Sequence, residues 1–178
     1  MENTTEPDSD RVITPLREAR RPLFEGMGSL LLAADAVTAA EARVALASLD
    51  TVVGYLRDTV IPAHHAENYT MLIAMDGILG QPGSSDIIKA QHRSINAMAG
   101  DLLKVVDAAR ADGDLAQYAR YLLPLLYGLY AAIRVHLESE EDAWLPLMDA
   151  HLSESQVGVV VENFSRIMAG DSPGAQSP

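Results

Sequence analysis

The chain contains no cysteine, which excludes disulfides, thiolate metal ligands, iron–sulfur clusters and cysteine nucleophiles at once. Any metal must then be held by His, Asp or Glu. Aromatic residues are scarce at 5%, with one Trp and two Phe, while Ala and Leu abound, and apolar content of this kind packs helices rather than sheets. Basic residues are also few. Thirteen Lys plus Arg against 25 Asp plus Glu give a formal net charge of −12, which opposes association with phosphate backbones or anionic lipid. Nucleic acid and membrane surfaces are therefore set aside as partners. The longest apolar run, Tyr121 to Ile133, is about 13 residues, short of the ~20 that span a bilayer as a helix. The acidic, polar start MENTTEPDSD lacks the basic and then apolar pattern of an export signal, and the expectation is a cytoplasmic protein. No Gly-rich phosphate loop or nucleophile elbow is present, and nothing in the chain marks it as an enzyme.

The 178 residues are 48% hydrophobic, enough for one sizeable core. Residues 1–12 and 170–178 are rich in Ser, Pro, Gly and acids and lack periodicity, so both are expected to be disordered tails around a domain over 13–169. From Leu16, apolar residues recur at Leu23, Met27, Leu30, Leu31 and Ala34, the spacing of an amphipathic helix A weakened by Gly26 and Gly28. Thr38 followed by Glu41 reads as a capping box that opens helix B. Its stripe runs Leu49, Val52, Val53, Leu56, Val60, Met71, Ala74 and Leu79, with a kink expected at Pro62. GQPGSSD is a loop, and Ser84 or Ser85 can cap helix C, whose inward face carries Ile88, Ile95, Met98, Leu102, Val105, Val106 and Ala109. Asp112 and Gly113 end it. Helix D runs from about Leu115 to Ala150, with Pro124 and Pro146 as bends or ends, and a second capping box, Ser153 to Gln156, opens helix E through Met168. Long helices with short connections bury these stripes most simply as an all-α, up-down-up-down four-helix bundle with a short C-terminal helix.

Five polar residues on four helices interrupt the stripes. Glu67 lies on the line Val60, Ala63, Met71; His92 lies between Ile88 and Ile95; His136 and Glu140 lie one turn apart between Ile133 and Trp144; and Arg20 lies between Leu16 and Leu23. An unpaired buried carboxylate costs several kcal/mol, so two of them meeting two imidazoles in one core require a cation. A metal is one candidate, because bundle interiors hold non-haem iron or manganese through carboxylates and His from facing helices. Two His and one carboxylate suffice for Fe(II) with open positions. Arg20 is the other, since a guanidinium stays charged and can fork two acids. Its alternative is to snorkel to the helix end.

These residues carry a family resemblance. Helix D, IRVHLESEEDAWLPLMDAHLS, is similar to the last metal-binding helix of hemerythrin-like HHE-domain proteins, with His136 and Glu140 as the family's His-x-x-x-Glu, followed by acids and Trp144, Leu145, Pro146, Leu147. Helix C, IIKAQHRSINAM, resembles the family's single-His helix and gives His92. Helix B, YLRDTVIPAHHAENYTMLIAMDGILG, has the family's length, Pro and Glu but departs at the ligands, with Ala63 and Glu67 where the family has His-x-x-x-Glu. Helix A departs too, carrying Arg20 in LREARRPLF in place of the first His. The chain has five His, namely His64, His65, His92, His136 and His151. His151 lies beyond the helix D motif, so the family's complete diiron centre cannot be assembled. His64, three residues before Glu67, stays near the ligand face, and a shifted helix could recruit it, whereas His65 points further away. Glu141 reads, within ESEED, as part of a solvated acidic face. The resemblance spans residues 14–168 and implies a non-haem iron protein. Its depleted site of His92, His136, Glu140, Glu67 and His64 would bind or sense O2 or another small oxidant. The substitutions also imply an alternative: a metal-free bundle with Arg20 in the metal's place, acting as a regulatory or protein-interaction module.

Overall fold

The computed structural model describes residues 12–171. The tails expected over 1–12 and 170–178 fall, apart from residues 12, 170 and 171, outside the described residues. Most of the described residues are helical. The helices are α1 (Thr14–Ala39), α2 (Ala42–Tyr55), α3 (Ile61–Tyr69), α4 (Met71–Leu79), α5 (Asp86–Asp112), α6 (Leu115–Ser139), α7 (Leu145–His151) and α8 (Glu154–Met168). Cross-helix pairs fix the topology. Tyr55 donates its hydroxyl hydrogen to Leu23 O while Glu67 meets Arg20, so α2 and α3 run antiparallel to α1. Pairs Asp50–Arg110, His64–Asn96 and Asn68–His92 set α5 antiparallel to α2 and α3, and His136 against both Gln91 and His92 belongs to the antiparallel packing of α6 on α5. α1 also packs on α6, closing an up-down-up-down bundle, and α8 lies across α1 and α3. No helix among the described residues is long and apolar enough to cross a membrane.

Helices B and D of the sequence reading are each interrupted, and by the same device. A π turn at Leu56–Val60 closes with Ile61 N–H donating to Leu56 O, and another at Glu140–Trp144 closes with Leu145 N–H donating to Glu140 O. Each is followed two residues on by a proline, Pro62 or Pro146. Proline has no N–H and its ring crowds the carbonyl four residues back, and the widened turn accommodates both defects. Pro124 neither ends nor interrupts α6. A second break in helix B falls at Thr70, where the backbone leaves the helical region (φ −130°, ψ −82°) between α3 and α4.

Capping follows the sequence in one place and departs from it in two. Ser153 and Gln156 form the reciprocal box that opens α8. Thr38 opens nothing: the Ala-rich end of α1 runs on through it, and its hydroxyl donates back to Asp35 O at 2.8 Å. Glu41 stands in the cap position of α2 without a side-chain bond. Ser85 stands before α5, but the Asp76 carboxylate of α4 ties the loop instead, accepting from Gly83 N–H at 3.2 Å and Ser85 N–H at 2.8 Å. Gly26, a weak point of helix A in the sequence, has a packing reason. The Tyr55 ring lies so close that an added Cβ would sit 3.0 Å from Cγ and nearer still to the ring edge.

Two apolar clusters divide the interior. The larger joins residues of α1, α2, α3, α5 and α6 with Phe164 and Ile167 of α8. The smaller, at one end, gathers Ile13, Leu16, Met71, Met75, Leu145, Met148, Val157 and Val160. Arg20 lies between Leu16 and Leu23, Glu67 between Ala66 and Met71, and Glu140 between Leu137 and Leu145, so all three sit where the clusters meet, with both sides dry.

Candidate metal centre

Six ionisable side chains meet at that junction, all at most 1% exposed: Arg20, His64, Glu67, His92, His136 and Glu140. All six were named from sequence. His65, by contrast, is exposed and edges against Tyr69. One metal-ligating atom from each of His64, Glu67, His92 and His136 lies within 4.8 Å of all the others. Glu140 stands outside this set. Its Oε2 is 3.6 Å from His136 Nε2 but accepts a hydrogen bond from Arg20 Nη2.

The imidazoles are oriented by carboxamides that the stripes did not reveal. His64 Nδ1 lies 2.8 Å from Asn96 Oδ1, His92 Nδ1 3.0 Å from Asn68 Oδ1, and His136 Nδ1 3.0 Å from Gln91 Oε1. A carboxamide oxygen can only accept, so each Nδ1 carries a proton, and in the neutral ring Nε2 then keeps its lone pair. The first two bonds are reciprocal: α3 and α5 each carry His-x-x-x-Asn, and antiparallel packing crosses the pairs. That repeated spacing, His64 to Asn68 and His92 to Asn96, was the available signal in the sequence. The rings of His64 and His92 stack at 4.2 Å with 10° between planes, and His136 stands edge-on to both.

With these tautomers His92 Nε2 and His136 Nε2 face each other at 3.1 Å, lone pair to lone pair. His92 Nε2 also faces Glu67 Oε2 at 3.3 Å, and that oxygen is buried without a hydrogen-bond partner. A cation among these atoms satisfies all of them. Burial, reinforced by His92, holds His64 down at about 4, and burial holds His136 down at about 3. Both rings are therefore neutral at pH 7, the ligating form.

On the other side, the Arg20 guanidinium bonds both acids. Nε donates to Glu67 Oε1 at 2.9 Å and Nη2 to Glu140 Oε2. Burial works against its charge, but Glu140 and Glu67 more than compensate and raise it further. Burial likewise opposes ionisation of Glu67, yet the Arg20 guanidinium beside it holds it well below the usual carboxylate range. Glu140 goes the other way: burial and the neighbouring Glu67 charge push it up to about 8 against the pull of Arg20. One guanidinium thus fully compensates only one of the two acids. Glu141 is less solvated than its acidic run suggested. It accepts from Arg17 Nε at 3.0 Å and lies 3.6 Å from Arg20 Nη1, with 29% of its side chain exposed.

The family model for the hemerythrin HHE cation binding domain matches residues 12–148. No curated protein and no solved structure matches the chain. The matched stretch runs from just before α1 into α7, well over half of the chain, and this protein belongs to the hemerythrin HHE cation-binding domain family.

Proposed function

We propose that this protein holds non-haem iron at His64, His92, His136 and Glu67 and binds a small neutral oxidant such as O2 there. The observation that carries this reading is the convergence of imidazole Nε2 lone pairs with an unpartnered carboxylate oxygen in a dry core. Neutral imidazole with carboxylate is a donor set suited to Fe(II). Fe(II) bound there supplies open coordination positions and a one-electron couple. The chain's own residues supply the rest. The carboxamides of Asn68, Asn96 and Gln91 hold the ring tautomers, and the two apolar clusters exclude water. A groove of about 700 Å³ between α5 and α6 offers an approach. Gln91 and His136 line it together with Ile87, Ile95, Met98 and Val135, with no charged side chain. Such a lining favours an uncharged small molecule over an anion.

The ion pairs of Arg20 favour a second reading, a metal-free regulatory or interaction module. Arg20 compensates the carboxylates but leaves the facing Nε2 lone pairs unanswered, and this places the metal reading first. Untagged protein loaded anaerobically with Fe(II) and desalted is expected to retain iron by elemental analysis and to change its absorption spectrum in air, and His136→Ala is expected to lose both. Wild-type protein with no iron above background would defeat the first reading and leave the second. The carboxamides give a subtler check. Asn68→Leu keeps the side-chain size but frees the His92 tautomer, and iron affinity is expected to fall about 10- to 100-fold. Unchanged affinity in an anaerobic titration would show that the amide does not orient the ring.

A further inference from the structure

Glu67 is engaged from both sides. Its Oε1 accepts from Arg20 Nε at 2.9 Å, while its unpartnered Oε2 faces the imidazole cluster, 3.3 Å from His92 Nε2. A carboxylate held in this way bridges two cation positions. Two-metal centres hold their ions roughly 3.5–4 Å apart, a span that the two oxygens of one carboxylate cover. Here one of the positions is already filled. Building on the reading of the imidazole cluster as a metal site, we propose that the Arg20 guanidinium permanently occupies the place of a second ion, so that the centre takes one metal ion and Glu140 serves Arg20 rather than the metal.

Three observations support the assignment. Arg20 is 0% exposed and heads the fully buried side chains by volume, so it fills the space around the acids instead of reaching past them to solvent. The Glu140 oxygen nearest His136 is the one that accepts from Arg20, and Glu140 lies outside the mutually close ligand set. Charge points the same way. Arg20 already sets one fixed positive charge against the two acids. One divalent ion adds to that charge, and a second would add two more units in a core shut off from solvent. A guanidinium does not deprotonate in proteins, so no accessible pH vacates the position. The emptied site is then not a core of bare acids but one with an internal counter-ion, which allows the fold to persist while a single ion comes and goes.

The test uses Mn(II) as a redox-stable probe on the full, untagged chain. Wild-type protein is expected to bind one Mn(II) per chain, with the hyperfine-resolved EPR spectrum of an isolated ion. Arg20→His, which removes the permanent cation and adds a ligand, is expected to bind two, and Mn(II) is expected to raise its melting temperature more than that of wild type. Arg20→Lys, which keeps the charge, is expected to remain at one. Two ions in wild type, or a folded Arg20→His chain that holds at one, would overturn the assignment. Should a variant fail to fold, the wild-type count and EPR spectrum still decide. No ion on wild type would defeat the metal-site reading and this assignment with it, an outcome distinct from two ions, which defeats this assignment alone.

Discussion

Replacing Arg20 with Ala is expected to lower the stability of the metal-free protein by about 3–5 kcal/mol, the cost of removing one partner from a buried ion pair. Arg20 bonds Glu67 and Glu140, all three are shut off from solvent, and among the described residues no other guanidinium or ammonium reaches those carboxylates. Without it, Glu67 keeps only imidazoles for neighbours and Glu140 is left beside a like charge. A domain of this size has a total stability of roughly 5–15 kcal/mol, so the variant loses a large part of it. Urea unfolding with a chelator present measures the loss, and a decrease under about 1 kcal/mol would show that Arg20 does not compensate the acids. The charges as a group are a different matter. Taking two acids and a guanidinium out of water costs several kcal/mol per ion, so replacing all three together with apolar residues of similar volume is often neutral or stabilising. If Arg20→Leu, Glu67→Leu and Glu140→Met combined are at least as stable as wild type while Arg20→Ala alone is not, the triad is retained for what it does at the site rather than for stability.

The bundle was legible because burial imposes a period. Leu16, Leu23 and Leu30 on α1, and Ile88, Ile95, Leu102 and Val106 on α5, are all buried as their spacing predicted. The same periodicity exposed the site, since Arg20, Glu67, His92, His136 and Glu140 occupy positions that spacing reserves for apolar side chains. Residues that act from the edge of a stripe escaped it. Asn68, Asn96 and Gln91 are half-buried and polar, which a stripe reading assigns to the surface; their role depends on which helices become neighbours, information that no single helix carries. Thr38 shows another limit. A Thr followed three residues later by Glu can start a helix, but the alanines around it let α1 continue, and the local pattern could not tell which would win. Glu141 was assigned to solvent by its acidic neighbours, whereas Arg17, a full bundle width away in sequence, takes it as a partner.

His64→Ala is expected to weaken metal binding more than 100-fold, exceeding the effect of losing a carboxamide, while His65→Ala leaves affinity unchanged. From spacing alone the order is not obvious. In an unbroken α-helix continuing the buried face of Leu56, position 63 returns to that face, and this chain places Ala there. The π turn at Leu56–Val60 inserts one residue into a turn. One residue corresponds to about 100° of helix rotation, so from Ile61 onward each side chain takes the direction of the one before it. His64 thereby comes into line with the face of Leu56, and Glu67, one turn later, shares it. The structure has both at 0–1% exposure with ligand atoms inside the same cluster, while His65 is turned out to solvent. A shift of helical phase thus brings His64 to the face that Ala63 leaves without a histidine. Equal effects of the two substitutions in an Mn(II) titration would mean that His64 is a packed core histidine, leaving only His92, His136 and Glu67 to hold the ion. A large loss confined to His64→Ala would tie the metal site to the π turn that positions it, and through Pro62 to the residue that makes that turn favourable.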